Sequence, residues 1–199
     1  MEGLEDKTRA KQSMFTTLGA SNHAKHDREE NDYYATDPVA IMELMKHEQF
    51  AQNIWEPCCG EGHLSKELEN AGYDVISTDL IDRGYGLGGI DFLKTKKNFA
   101  GDIVTNPPYK MAEEFVRHCM MTIEDGNRVA MFLRIQFLEG QKRRELFGDY
   151  KPEKVYVSSK RILCAMNGAF DEIKGSAACY CWIIWKKGYT GPTELKWFN

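Results

Sequence analysis

The stretch NIWEPCCGEGHLSKELENAGYDVISTD, from Asn53 to Asp79, decides the fold. It opens on a short apolar run, NIWEP (53–57), and turns through the glycines of CCGEG. Leu64, Leu68 and Ala71 then recur at the spacing of one helical face, with Gly72 as the stop. YDVISTD (73–79) follows as a second strand-like run. Strand, glycine turn, helix and strand make the βαβ unit of a parallel sheet. Glycines at the first turn let backbone come close to a ligand, and the helix N-terminus offers free N–H groups. Asp79 ends the second strand about twenty residues beyond Glu56, where a carboxylate can accept both hydroxyl protons of a ribose.

The same alternation extends in both directions. Upstream, DPVAIMELMKHEQF reads as a helix with Asp37 as N-cap, Pro38 at its first position, and Ile41, Leu44 and Met45 as its apolar stripe. Downstream, GIDF (89–92) is expected as a short third strand and DIVTN (102–106) as a fourth. MAEEFVRHCMMTI supplies a helix through Met111, Phe115, Val116, Cys119 and Ile123, and RVAMFLR (128–134) a fifth strand. GQKRRELFG reads as a short basic helix or turn. EKVYVSS (153–159) and SAACYCWIIWKK (176–187) complete seven strands. Between these last two no helical pattern appears, and strands joined by a loop alone usually run antiparallel. The expectation is an α/β fold: a mostly parallel seven-stranded sheet with an antiparallel last strand and helices on both faces.

A chain of 199 residues is enough for one domain with a full core. Residues 1–31 are polar and charged and read as a mobile arm, leaving 32–199 as a single domain. His23 and His26 in the arm read as a solvated pair, and no metal site is expected. The net charge of −4 announces no global attraction to nucleic acid, although a local basic face is compatible with it. The six cysteines form no C-x-x-C knuckle and read as small apolar packing residues. The N-terminus lacks the apolar centre of a secretory signal, and no run approaches a membrane span. A reducing cytoplasm is the default expectation.

The glycine turn and Asp79 suit either a nicotinamide cofactor or a nucleoside-bearing methyl donor. Three details favour the donor. The glycines are not G-x-G-x-x-G, since His63, Leu64 and Ser65 follow Gly62. Glu56 precedes the turn, where it can meet an ammonium group. The reversed final hairpin is foreign to the dinucleotide fold. A second motif, TNPPYK (105–110), lies directly after the fourth strand, at the carboxyl edge where open α/β sheets bind ligands. At average proline usage an N-P-P-Y match arises by chance on the order of once in a thousand such chains.

These residues together resemble the adenosylmethionine-dependent amino-methyltransferases, most closely the small phage-type N6-adenine DNA methyltransferases with an NPPY motif. The resemblance runs from about Tyr33 to Trp185 and implies a Rossmann-like methyltransferase fold with S-adenosyl-L-methionine as cofactor. YYATDP (33–38) is similar to the family's N-terminal cofactor segment, which puts Tyr33 and Thr36 at the cofactor. EPCCGEG is similar to its glycine turn, adding Glu56, Cys58, Gly60 and Gly62. Asp79 matches the ribose acid, and Asp91 with Phe92 the pair around the cofactor's adenine. Asn106, Pro107, Pro108 and Tyr109 match the catalytic loop. By that resemblance the Asn106 carboxamide oxygen and the Pro107 carbonyl accept the two amine hydrogens, and Tyr109 stacks on the base.

The chemistry explains the residue types. The lone pair of an adenine N6 is delocalised into its ring, so the amine is a poor nucleophile. Two fixed acceptors favour a pyramidal nitrogen whose lone pair turns toward the methyl group. The prolines lock φ and remove competing N–H donors. A base in a duplex must be flipped out, which calls for cations against phosphate. Lys110, Arg134, Lys142, Arg143 and Arg144 are the first candidates, with Lys94, Lys96, Lys97, Lys160 and Arg161 behind them. No separate target-recognition domain fits in the chain. Specificity therefore falls to loops near 83–89, 135–152 and 159–175, to the arm, or to a second subunit of a homodimer. RNA adenine and a protein glutamine amide share the same conjugated nitrogen and remain open as substrates. A non-catalytic protein that sequesters the cofactor or blocks a host enzyme remains a third reading.

Overall fold

The computed structural model describes residues 33–96, 98–166 and 178–199. The arm (1–31), its two histidines, Lys97 and most of the 159–175 loop lie outside the described residues. Among the described residues nine strands and four helices follow in order: β1 (Tyr34–Thr36), α1 (Val39–Leu44), β2 (Asn53–Glu56), α2 (His63–Asn70), β3 (Asp74–Ser77), β4 (Asp102–Thr105), α3 (Ala112–Thr122), β5 (Arg128–Arg134), α4 (Arg144–Asp149), β6 (Lys154–Ser158), β7 (Cys164–Met166), β8 (Tyr180–Lys186) and β9 (Glu194–Phe198). Short 3-10 turns sit at Phe92–Lys94, Tyr109–Met111, Ile135–Leu138 and Gln141–Arg143.

Seven strands form one sheet in the order β3-β2-β4-β5-β8-β6-β9. β3, β2, β4 and β5 pair in parallel, β8 runs antiparallel to both β5 and β6, and β9 is parallel to β6. The reversed strand is therefore the one the sequence indicates. Alternation along each central strand feeds two separate cores. Trp55, Ile103, Val129, Met131, Leu133, Ile183 and Trp185 face α3 and α4. Ile54, Val104, Ala130, Phe132, Trp182 and Ile184 face α1 and α2. A sheet covered on both faces reads as nearly continuous apolar runs, and β5 and β8 do so. The α1 entry agrees with the sequence, since Asp37 Oδ1 accepts the Val39 N–H at 3.0 Å.

One expected strand is absent, and another takes its place in the count. GIDF is not a strand: Asp91 Oδ1 accepts the Leu93 N–H at 3.2 Å and starts a 3-10 turn instead. Phe92 turns inward there, against Trp55 and Phe115. The loop returns to the sheet edge at a single bridge, Thr78 to Leu87. The seventh strand is β9, near the C-terminus. A separate two-stranded ribbon pairs β1 antiparallel with β7, placing Thr36 opposite Cys164.

Candidate active site

Because β2, β3, β4 and β5 share a direction, Glu56, Asp79, Asn106 and Arg134 all emerge at one edge of the sheet. β8 enters that edge at Tyr180, opposite Arg134. Two groups of residues meet there.

The first is the glycine turn. Gly60 and Gly62 have φ of +55° and +81°, values that favour glycine. The Tyr33 ring lies against Gly60, where any Cβ would collide with it. Tyr33 donates its hydroxyl to Glu61 Oε2 at 3.1 Å and accepts the Glu61 N–H at 3.3 Å, while the Arg83 guanidinium covers its ring at 3.9 Å. Asp79 holds the turn from the β3 side. Its Oδ2 accepts the Gly60 N–H at 2.8 Å and its Oδ1 accepts the Ile81 N–H at 2.9 Å. Each oxygen keeps a further lone pair. Glu56 is buried and accepts the Ser65 hydroxyl, which itself meets Ser77 at 2.6 Å. Burial pushes the Glu56 carboxyl up to about 8, against the pull of Ser65 and with a smaller push from the charge of Asp79.

The second group is the proline loop. The Pro108 carbonyl accepts the Met111 N–H at 2.9 Å, which turns the chain directly into α3. Asn106 donates Nδ2 to the Tyr34 carbonyl at 3.1 Å and to Thr36 Oγ1 at 2.8 Å. Its Oδ1 is buried and has no partner among the described residues. Tyr109 lies nearly parallel to Tyr34, with ring centroids 6.2 Å apart and 19° between planes. Its hydroxyl reaches Cys164 Sγ at 3.6 Å, and the Arg134 guanidinium stands 5.0 Å from the ring centre. A narrow cleft of about 20 Å³, room for a single water, joins the two groups between Thr36, Glu56, Cys58 and Asn106. On another side of Tyr109 opens a wider cavity of about 150 Å³, lined by Arg134, Gln136, Phe137 and Arg143.

Three residues named from the sequence are otherwise engaged. The Phe92 ring belongs to the core, and Asp91 pairs with Lys94 at 2.7 Å. Arg143 donates to the carbonyls of Phe137 (2.7 Å), Gln136 (3.0 Å) and Glu139, so its guanidinium closes a turn. Lys110, Lys142 and Arg144 are exposed, as is Arg134. Sequence reasoning named no role for Tyr34, Ser65, Cys164 or Tyr180. Only their partners across the sheet and ribbon reveal them, and no local pattern carries that information. Burial pushes the Cys58, Cys59, Cys164 and Cys181 thiols upward, Cys59 and Cys181 to about 12. Thiols raised in this way stay protonated at neutral pH. Among the described residues no cluster of metal-ligating side chains occurs, and no helix is long and apolar enough to cross a membrane.

No family model and no curated protein sequence matches the chain. Solved structures do. A Listeria monocytogenes protein described provisionally as a class I S-adenosylmethionine-dependent methyltransferase aligns with a TM-score of 0.57 at 13% identity, over 92% of this chain and 70% of its own. A Pyrococcus horikoshii protein described provisionally as an RNA methyltransferase aligns with a TM-score of 0.60 at 14% identity, over 89% and 98%. An Agrobacterium tumefaciens protein described provisionally as an O-methyltransferase aligns at 0.55 and 14%, over 81% and 84%. The chain thus has the Rossmann-like fold of class I methyltransferases. At these identities the likeness defines the fold, while chemistry must be argued from the site.

Proposed function

We propose that residues 32–199 form one catalytic domain of an S-adenosylmethionine-dependent methyltransferase acting on the N6 amine of adenine in DNA. The observation that carries this reading is the Asn106 carboxamide. Its oxygen is buried without a partner in the residue that joins the cleft to the proline loop. An orphaned buried acceptor is costly unless a ligand supplies the donor.

The residues suit the proposed cofactor. Positive-φ glycines give a close backbone approach, Asp79 retains acceptor capacity for ribose hydroxyls, and Glu56 lines the cleft as a partner for an ammonium group. When bound, the cofactor supplies an electrophilic methyl group. Asn106 Oδ1 and the Pro107 carbonyl accept the amine hydrogens and draw the nitrogen out of conjugation. Preorganised acceptors of this kind need no rearrangement as charge develops. Tyr109 remains a neutral phenol, its hydroxyl pushed well up by burial, and acts through its ring. Lys110, Lys142 and Arg144, exposed at the same edge of the sheet, serve as phosphate contacts once the base is flipped out toward Asn106.

The test is incubation of the full chain with tritiated S-adenosylmethionine and separate DNA, RNA and protein pools, followed by nucleoside analysis of the labelled polymer. Label in N6-methyladenine of DNA is the expected result. Label in RNA or in glutamine reassigns the substrate, and cofactor binding with no transfer to any pool supports sequestration. Sedimentation of the same sample decides whether a homodimer completes the recognition surface.

A further inference from the structure

We infer that Thr36 is a positioning residue for the Asn106 acceptor and makes no essential contact with the cofactor. The inference rests on the reading of Asn106 given above. A carboxamide has two ends of nearly equal shape, and catalysis by an acceptor requires the oxygen end to face the substrate. The structure decides the orientation chemically. The Tyr34 carbonyl can only accept, so the nitrogen of Asn106 must face it. The second Nδ2 hydrogen goes to Thr36 Oγ1, the shorter of the two bonds at 2.8 Å. With both amide hydrogens engaged, Oδ1 is left on the opposite side, buried and without a partner among the described residues.

The two anchoring groups lie about seventy positions before Asn106 in the chain, and their placement is fixed independently of it. Thr36 sits opposite Cys164 in the β1–β7 ribbon, and the next residue, Asp37, donates its N–H to the Leu163 carbonyl at 3.1 Å. Thr36 is 3% exposed, so its hydroxyl is dry and the bond to Asn106 does not compete with solvent. Without Oγ1 the carboxamide keeps one anchor and gains freedom to swing away from the amine.

Thr36→Val keeps the shape and removes the acceptor, and Thr36→Ser restores it. Two measurements on the full chain distinguish positioning from a cofactor contact. In the free protein, hydrogen exchange at the Asn106 side-chain amide, read by NMR, is slow in the wild type and in Thr36→Ser. It is expected to be at least tenfold faster in Thr36→Val, on the scale of one lost hydrogen bond. With tritiated S-adenosylmethionine and unmethylated duplex DNA, kcat falls about tenfold in Thr36→Val, recovers in Thr36→Ser, and the cofactor Kd stays within about twofold. Unchanged exchange in Thr36→Val overturns the inference. So does a weakened Kd with an unchanged kcat, which returns Thr36 to the cofactor. If the wild type labels no polymer, the methyl-transfer reading falls and the catalytic half of the inference with it, while amide exchange still decides the orientation.

Discussion

On the proposed reading Asn106 and Asp79 have separate roles that single substitutions should distinguish. Asn106→Ala removes an acceptor that no protein group uses, so cofactor Kd should hold while turnover drops by a hundredfold or more, on the order of one lost oxyanion-type contact. Asp79→Ala frees the Gly60 and Ile81 amides and should weaken cofactor binding instead. Calorimetry and single-turnover labelling read the two effects, and equal loss of binding in both variants defeats the assignment. Glu56 gives a pH test. Its carboxyl is raised from 4.5 to about 8 by burial, so the folded state holds a proton that the unfolded chain releases. That contribution to stability is complete below about 4.5 and is lost as pH climbs through about 8. Glu56→Gln should abolish this slope in denaturant melts between pH 5 and pH 8.5. An ammonium bound beside Glu56 favours the carboxylate, so cofactor Kd should tighten from pH 6.5 to 8.5 with proton release on binding. A Kd independent of pH, or the same profile in Glu56→Gln, rules out that pairing.

β8 shows how an element can be central to packing and yet be set only by its partners. Trp182 lies on it, wholly buried, its ring tilted 50° against Phe132, and donates its indole N–H to the Ala40 carbonyl at 3.0 Å. It therefore ties α1 to the sheet. Trp182→Ala should cost about 3–5 kcal/mol in urea unfolding, through the cavity and the stranded carbonyl. A loss below about 1 kcal/mol means α1 is not anchored there. The apolar runs of β2, β4, β5 and β8 were readable from the sequence because strands buried on both faces leave continuous hydrophobic signatures. So was the reversal of β8, from the lack of a helix before it. GIDF misled because one apolar pair beside two glycines suits a turn as well as a strand, and Asp91 as cap settles the matter locally. β9 was not legible, since its alternation places Leu195 and Trp197 outward and only Phe198 in the core. The site divides in the same way. Glu56, Asp79 and the proline loop follow from local motifs, whereas Tyr34, Cys164 and Tyr180 reach it through register across strands distant in sequence.

A chain of net charge −4 that is to hold a polyanion must concentrate its cations where the chemistry is. The far edge of the sheet spends its charges on itself. Glu48 there accepts Lys154 at 2.6 Å and Tyr156 at 2.6 Å, and pairs with Arg128 at 3.3 Å. At the ligand edge, Arg134 leans on Tyr109 and Lys110 begins the turn into α3, while Lys142 and Arg144 flank an Arg143 that is bound to three carbonyls. The basic cluster of the sequence thus resolves into two outward cations and one inward clasp. Each phosphate neutralised on B-DNA contributes about −0.9 to the slope of log K against log salt. Duplex affinity measured by anisotropy across a range of KCl concentrations should therefore lose about 0.9 of slope for Lys142→Ala and again for Arg144→Ala, with folding unaffected. Arg143→Ala should lower the melting temperature, because it strands the Phe137 and Glu139 carbonyls and takes one of two donors from Gln136, and should leave the slope unchanged. The reverse pattern, slope lost with Arg143 and kept without its neighbours, would place phosphate on the inner guanidinium and move the nucleic-acid track off this edge.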